Sequence, residues 1–241
     1  MIKAIFFDLY GTLIDIRTDE QDPWVYTALS RYFQYHSVKI GAEELKRAYF
    51  EEIERYLRQS KEVYPEVDVY KIFHAIMHRY GNRRYPKNIV KDTAMLFRSL
   101  TMRQFNLVPH LFETLIQLEG QYKIAIISDA QWVFAEPEME MLGLDRFFQQ
   151  RILSSHYGYK KPDMRLFQAA MKKLRVKPGE SLYIGDNLRK DLVGAKKAGM
   201  LFIFFGQELK EYNAFKPDGV FSDYFELERV IADCDLTMEG K

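Results

Sequence analysis

Four short, almost wholly apolar runs constrain what this chain can fold into. They lie at residues 2–7 (broken only by Lys3), 123–127, 182–184 and 201–205, with weaker runs at 151–153 and 220–221. Runs this short and this uniformly apolar suit parallel strands covered on both faces, because a half-solvated strand would alternate. Amphipathic stretches at 111–119, 136–142, 164–174 and 188–198 separate them, and Gly143, Gly199 and the turn Lys177-Pro178-Gly179 supply helix stops. Strand–helix–strand units in series predict a doubly wound α/β core on a parallel sheet with right-handed crossovers.

Between residues 15 and 105 the pattern changes. Helical periodicity runs through 23–35, 42–59, 69–80 and 87–100, Pro23 suits a first turn, Gly81 suits a stop, and no strand is expected. An all-helical block of residues 15–105 therefore interrupts a core made of 1–14 and 106–241. The polar stretch from about Asp233 is expected to fray. Of the 241 residues 47% are hydrophobic and 29% charged, which excludes a disordered chain. The 35 basic and 34 acidic side chains leave +1, so no basic field invites nucleic acid. No apolar run approaches the roughly 18 residues of a membrane span, and the N-terminus lacks the pattern of a signal peptide. One cysteine, Cys234, allows no intrachain disulfide or zinc cluster, which makes a reducing cytoplasm the expected location.

Ligands of open parallel sheets bind beyond the carboxyl ends of the strands, and residues with chemistry follow each run. The first is followed by Asp8-Leu9-Tyr10-Gly11-Thr12-Leu13 and the second by Ser128-Asp129. The third candidate strand is followed by Lys161-Pro162, and the fourth by Gly185-Asp186-Asn187, with Asp191 five residues after Asp186. A lone Asp after a strand is ordinarily a turn or cap. Four such positions in this order place carboxylates, a hydroxyl and a lysine on one sheet edge.

In order and spelling these segments resemble the four motifs of the haloacid dehalogenase superfamily, whose core is Rossmann-like and whose helical cap is inserted where residues 15–105 fall. The resemblance covers the whole α/β core, with Gly158-Tyr159-Lys160-Lys161-Pro162-Asp163 as third motif and Ile184-Gly185-Asp186-Asn187 through Asp191 as fourth. It implies hydrolysis through a covalent ester on Asp8, with Thr12 and Ser128 donating hydrogen bonds and Lys161, the residue directly before Pro, neutralising charge; Lys160 competes for that place. It implies Mg²⁺ held by Asp8, the Tyr10 carbonyl, Asp186 and Asp191, with Asn187 next in line or simply a helix cap.

One position departs from the phosphatases of that family, which carry a second Asp, a general acid, where this chain has Tyr10. A phenol titrates near 10 and shuttles protons poorly at neutral pH. The spelling Asp-x-Tyr-Gly-Thr-Leu looks like the metal-free 2-haloacid dehalogenases, from which halide leaves without a proton. Asp186 points the other way, because two carboxylates placed together without a cation disfavour an ionised nucleophile. The expected activity is therefore Mg²⁺-dependent hydrolysis of a small phosphorylated metabolite. The alternatives are 2-haloacid dehalogenation or a weakly active ligand- or partner-binding protein. Asp129, where the family more often has Asn, reads first as an ordinary helix cap for the next segment; its functional readings are to bind substrate, support the metal or stand in for the missing acid.

The cap should set specificity for a small anionic substrate, and residues 15–105 hold 16 Lys/Arg against 13 Asp/Glu. Arg17, Arg31, Arg83 and Arg84 can clamp an anion bidentately, and Arg31 is the nearest positional match to the cap arginine of the dehalogenases. His74 and His78 sit four apart with no third ligand, and Trp132 could line the entrance between core and cap. A monomer or homodimer, without nucleic acid or membrane partners, is expected.

Overall fold

The computed structural model describes residues 1–148, 150–208 and 212–239. Its centre is a six-stranded parallel sheet in the order β5-β4-β1-β6-β7-β8. The strands are β1 (Ala4–Phe7), β4 (Lys123–Ser128), β5 (Gln150–Leu153), β6 (Ser181–Gly185), β7 (Leu201–Phe205) and β8 (Gly219–Phe221). In β1 alternate side chains enter opposite layers. Ile5 and Phe7 join the core under α5 (Leu111–Leu118), α6 (Trp132–Met141) and α9 (Leu227–Glu239); Ala4 and Phe6 pack against α7 (Met164–Leu174) and α8 (Val193–Lys197). Both faces are covered, which explains the uninterrupted apolar runs. Phe6 and Phe7 are fully buried, and truncating either to Ala would cost about 3–5 kcal/mol. Phe7 pairs with Ile126 on one side and Ile184 on the other, so Asp8 leaves β1 level with the ends of β4 and β6.

Helices α1 (Pro23–Tyr35), α2 (Ala42–Gln59), α3 (Val69–Tyr80) and α4 (Lys87–Thr101) form a second core. Its centre is aromatic: Tyr26, Phe33, Tyr49, Phe73 and Phe97 are buried against one another. The stretch 15–105 is not helical throughout. Strands β2 (Ile14–Thr18) and β3 (Met102–Leu107) pair antiparallel, with a register irregularity between Arg17 and Thr18, and this ribbon joins the helical insertion to the core. β2 escapes a periodicity reading because it is five residues long and exposes Asp15 and Arg17.

Two smaller expectations also change. Helix α6 starts at Trp132, with Pro137 inside it, because the Trp132 N–H donates to Ser155 Oγ at 2.9 Å and fixes the start directly after the β4 loop. The C-terminal stretch from Asp233 is helical within the described residues: α9 continues through Glu239, with Cys234 buried. Among the described residues no helix is long and apolar enough to cross a membrane.

Candidate active site

Asp8, Ser128, Asp129, Lys161, Asp186, Asn187 and Lys190, with Tyr10, line a cavity of about 180 Å³ at the carboxyl edge of the sheet. Local structure explains their aim. The Asp8 N–H donates to the Ile184 carbonyl, and Asp8 Oδ1 accepts from the Leu9 N–H at 2.8 Å, which leaves Oδ2 for Lys161 Nζ at 2.9 Å. Gly11 sits at φ +83°, and a Cβ there would collide with the Asp186 carboxylate. Thr12 is fully buried and its hydroxyl donates to Asp186 Oδ1 at 3.2 Å; it orients that carboxylate and is absent from the cavity lining.

Lys161 is the buried centre of the charge system. Its ammonium lies 2.7 Å from Asp191 Oδ1, 2.9 Å from Asp8 and 2.9 Å from the Tyr183 hydroxyl. Burial alone would lower its pKa, but Asp191 and Asp8 outweigh burial and hold it above the ordinary lysine value. Asp191 lies in a π-helical turn, Leu188–Leu192, that leads into α8. Complete burial pushes its carboxyl up to about 7; Lys161 pulls the other way and Asp8 adds to the rise. The Asp191 oxygens are already committed, Oδ1 to Lys161 and Tyr183 and Oδ2 to the Asn187 N–H at 3.0 Å. Partial burial, then the charge of Asp8, raises Asp186. Asn187 caps the π-helical turn by accepting from the Arg189 and Lys190 N–H groups.

Asp129 is not a helix cap. Its Oδ1 accepts from the Lys161 N–H at 2.8 Å, and Oδ2 lies 3.0 Å from Lys190 Nζ, with no aligned hydrogen bond among the described residues. Among the described residues the group able to hold a metal ion is Asp8, Asp186 and Asp191, with ligand oxygens within 4.8 Å of one another. Asp8, Asp191 and Asp129 pair with the ammonium groups of Lys161 and Lys190, and Asp186 adds a fourth carboxylate beside Asp8. That surplus of carboxylates over ammonium groups fits a divalent, oxygen-liganded cation.

A larger chamber of about 410 Å³ shares Tyr10, Asp129 and Lys190 with this cavity and continues between core and insertion, past Glu20, Tyr49, Glu66, Arg98 and Lys160. Lys160 therefore faces the chamber, and Lys161 faces Asp8. Arg31 is exposed on α1 and lines neither cavity, because the adjacent Ser30 and the nearby Phe33 turn the inner face of that helix away from it. The arginine of the insertion that does line the chamber is Arg98 on α4. Its Nε donates to Glu138 Oε1 at 2.6 Å and its guanidinium lies 5.2 Å from the centre of the Tyr10 ring. The Tyr10 hydroxyl donates to Glu138 Oε2. Burial, then the charge of Glu138, holds that phenol well above its ordinary pKa. Arg17, Arg83, Arg84, His74 and His78 are exposed. Trp132 stands at the seam, 5.7 Å from Tyr70 of the insertion and 5.7 Å from His156 of the core.

The far wall of the chamber is a seam around the loop before α3. The Glu66 N–H donates to the Gly158 carbonyl and the Lys160 N–H to the Tyr64 carbonyl. Glu66 Oε2 accepts from Ser154 Oγ at 2.7 Å, and Gln131 bridges Val67 O at 3.0 Å and Val69 N at 2.8 Å. Arg98, Glu138, Glu66 and Gln131 carry no motif in the sequence; two lie on helices and two in loops, and each reads as ordinary surface.

A family model described as haloacid dehalogenase-like hydrolase matches residues 2–199. The chain belongs to this family. Among curated relatives, a glyceraldehyde 3-phosphate phosphatase of Methanopyrus kandleri is 28% identical over 84% of this chain and 83% of its own. The pyrophosphatase PpaX of Oceanobacillus iheyensis is 25% identical over 96% of this chain and 98% of its own. Among solved structures, a 2-haloacid dehalogenase from Pseudomonas syringae pv. Tomato matches with a TM-score of 0.68 at 21% identity, covering 96% of this chain and 99% of that one. A HAD phosphatase from Thermococcus onnurineus matches with a TM-score of 0.60 at 20% identity over 96% and 99%. The two structures establish the shared fold. This haloacid dehalogenase-like protein is a hydrolase, and the two curated relatives above are named as phosphatases.

Proposed function

We propose that this hydrolase removes a phosphoryl group from a small anionic metabolite by two displacements at Asp8, with residues 15–105 as the cap over the substrate. The observation that carries the reading is the packing of Asp8 and Asp191 about one buried lysine with Asp186 beside them, more carboxylates than ammonium groups. Asp8, Asp186 and the Tyr10 carbonyl would hold Mg²⁺, whose charge would balance that excess and polarise phosphoryl oxygens. Asp191 acts one layer back, by holding Lys161. In the first displacement an Asp8 oxygen attacks phosphorus, while Lys161 and Ser128 face the oxygens on which charge spreads. In the second, water cleaves the aspartyl-phosphate, and Asp129 Oδ2, which lacks an aligned donor among the described residues, accepts its proton.

Tyr10 favours a second reading, metal-free 2-haloacid dehalogenation, because halide leaves without a proton. Asp186 beside Asp8 and the phosphatase relatives weigh against it. Phosphate release from acetyl phosphate and p-nitrophenyl phosphate tests the choice. Release that needs Mg²⁺ and is abolished in Asp8→Asn is expected. Parent-level release by Asp8→Asn, or halide release from 2-chloropropionate in a chelator, would overturn the proposal.

A further inference from the structure

Given the phosphatase reading, the site also specifies the leaving group. The hydroxyl of Tyr10 is committed: it donates to Glu138, which Arg98 fixes from α4. No side chain at position 10 is thus turned toward the oxygen that departs from phosphorus. A leaving group that departs unprotonated needs compensating positive charge instead of an acid. The chamber beyond Asp129 offers it. Lys190 stands on the wall shared by the two cavities, and Lys160 lines the chamber itself. Lys160 is positioned by its N–H bond to Tyr64, and it forms no ion pair among the described residues. Of the three acids of the lining, Asp129 pairs with Lys190 at 3.0 Å, and the other two face partners other than Lys160. Glu66 accepts from Ser154, Gln131 and its own neighbour Val67, and Glu20 lies 3.3 Å from the Tyr49 hydroxyl.

We propose that the substrate is a phosphoanhydride whose leaving group is itself an anion, and that Lys160 receives that anion, beside the Lys190–Asp129 pair. An Asp8 oxygen bonds to phosphorus as the bridging P–O bond breaks, and the electron pair stays on the bridging oxygen with no proton required. Water oxygen then bonds to phosphorus as the P–O bond to Asp8 breaks. One water proton remains on the phosphate, and the other passes through Asp129 to solvent or to the departed anion.

The test compares kcat/KM for pyrophosphate, p-nitrophenyl phosphate and glycerol 1-phosphate in Mg²⁺, on the full chain. Pyrophosphate is expected to exceed glycerol 1-phosphate, whose alkoxide must be protonated, by about a hundredfold or more. Lys160→Gln should lower the ratio of pyrophosphate to p-nitrophenyl phosphate by about tenfold, the value of one charged hydrogen bond, and Lys160→Arg should restore it. Glycerol 1-phosphate turned over as well as pyrophosphate, or a ratio unmoved by Lys160→Gln, would overturn the proposal. A parent enzyme that cleaves p-nitrophenyl phosphate but not pyrophosphate would overturn the anionic leaving group and spare the phosphatase reading. One that cleaves none of the three would sink the phosphatase reading itself.

Discussion

Replacing Lys161 with methionine would strand two carboxylates that share its ammonium, Asp191 at 2.7 Å and Asp8 at 2.9 Å. At an effective dielectric of about 20, each contact is worth about 6 kcal/mol. Desolvating the ammonium, which is only 2% exposed, offsets several kcal/mol of that gain. Removal should therefore cost about 3–5 kcal/mol net, which lowers Tm by about 6–20 °C for a chain of this size. The loss should depend on pH. Asp191 is raised to about 7 in the fold, well above its unfolded value. A carboxyl raised in this way contributes stability that is full at low pH and is lost as pH climbs through the folded value. Without Lys161 the rise is larger, so the deficit against the parent should be greatest near about pH 8 and least near about pH 5. Thermal and urea unfolding in a chelator measure this directly. Lys161→Met/Asp191→Asn, which removes one stranded charge, should recover about 1–3 kcal/mol. A Lys161→Met protein within about 1 kcal/mol of the parent at pH 8, or a deficit that does not change with pH, would refute the charge system described here.

Gly11→Ala should displace Asp186, because the new Cβ would strike its carboxylate and φ +83° suits glycine; Mg²⁺ titration calorimetry should show binding weakened about tenfold or more, and unchanged binding would count against Asp186 as a ligand. Gln131→Ala should leave Val69 N and Val67 O unpaired at the seam. Amide exchange at Glu66, Val69 and Lys160 should then accelerate about tenfold, with KM for p-nitrophenyl phosphate rising and kcat falling less; unchanged exchange would show that the seam is held elsewhere. Burial pushes the Cys234 thiol up to about 11, so at pH 8 a thiol reagent should label the native protein roughly a hundredfold more slowly than the unfolded one; equal rates would contradict the burial of α9.

Asp8, Ser128 and Asp186 are legible in the sequence because each follows a doubly buried strand, whose apolar run marks both the fold and the place where its chemistry must emerge. Lys161 is legible through its Pro neighbour, and the structure separates it from Lys160 by which cavity each lines. Thr12 reads as a hydrogen-bond donor to substrate and Asp191 as a metal ligand, yet the fold turns both to orienting work, one toward Asp186 and the other toward Lys161. Arg98, Glu138, Glu66 and Gln131 are not legible. Their partners lie 40 to 128 residues away and meet them only after the insertion docks on the core. The ribbon β2–β3 is hidden for the same reason, since five residues with alternating exposure carry too little pattern without their partner strand.

Two displacements at Asp8 require its carboxylate to become covalently phosphorylated. Rapid mixing of the Mg²⁺-loaded enzyme with acetyl phosphate, acid quenching within milliseconds and mass analysis of the peptide that contains Asp8 tests it. A peptide heavier by one phosphoryl group, absent in Asp8→Asn, is the expected result. Phosphate released in a full first turnover while that peptide stays unmodified at every quench time would contradict it.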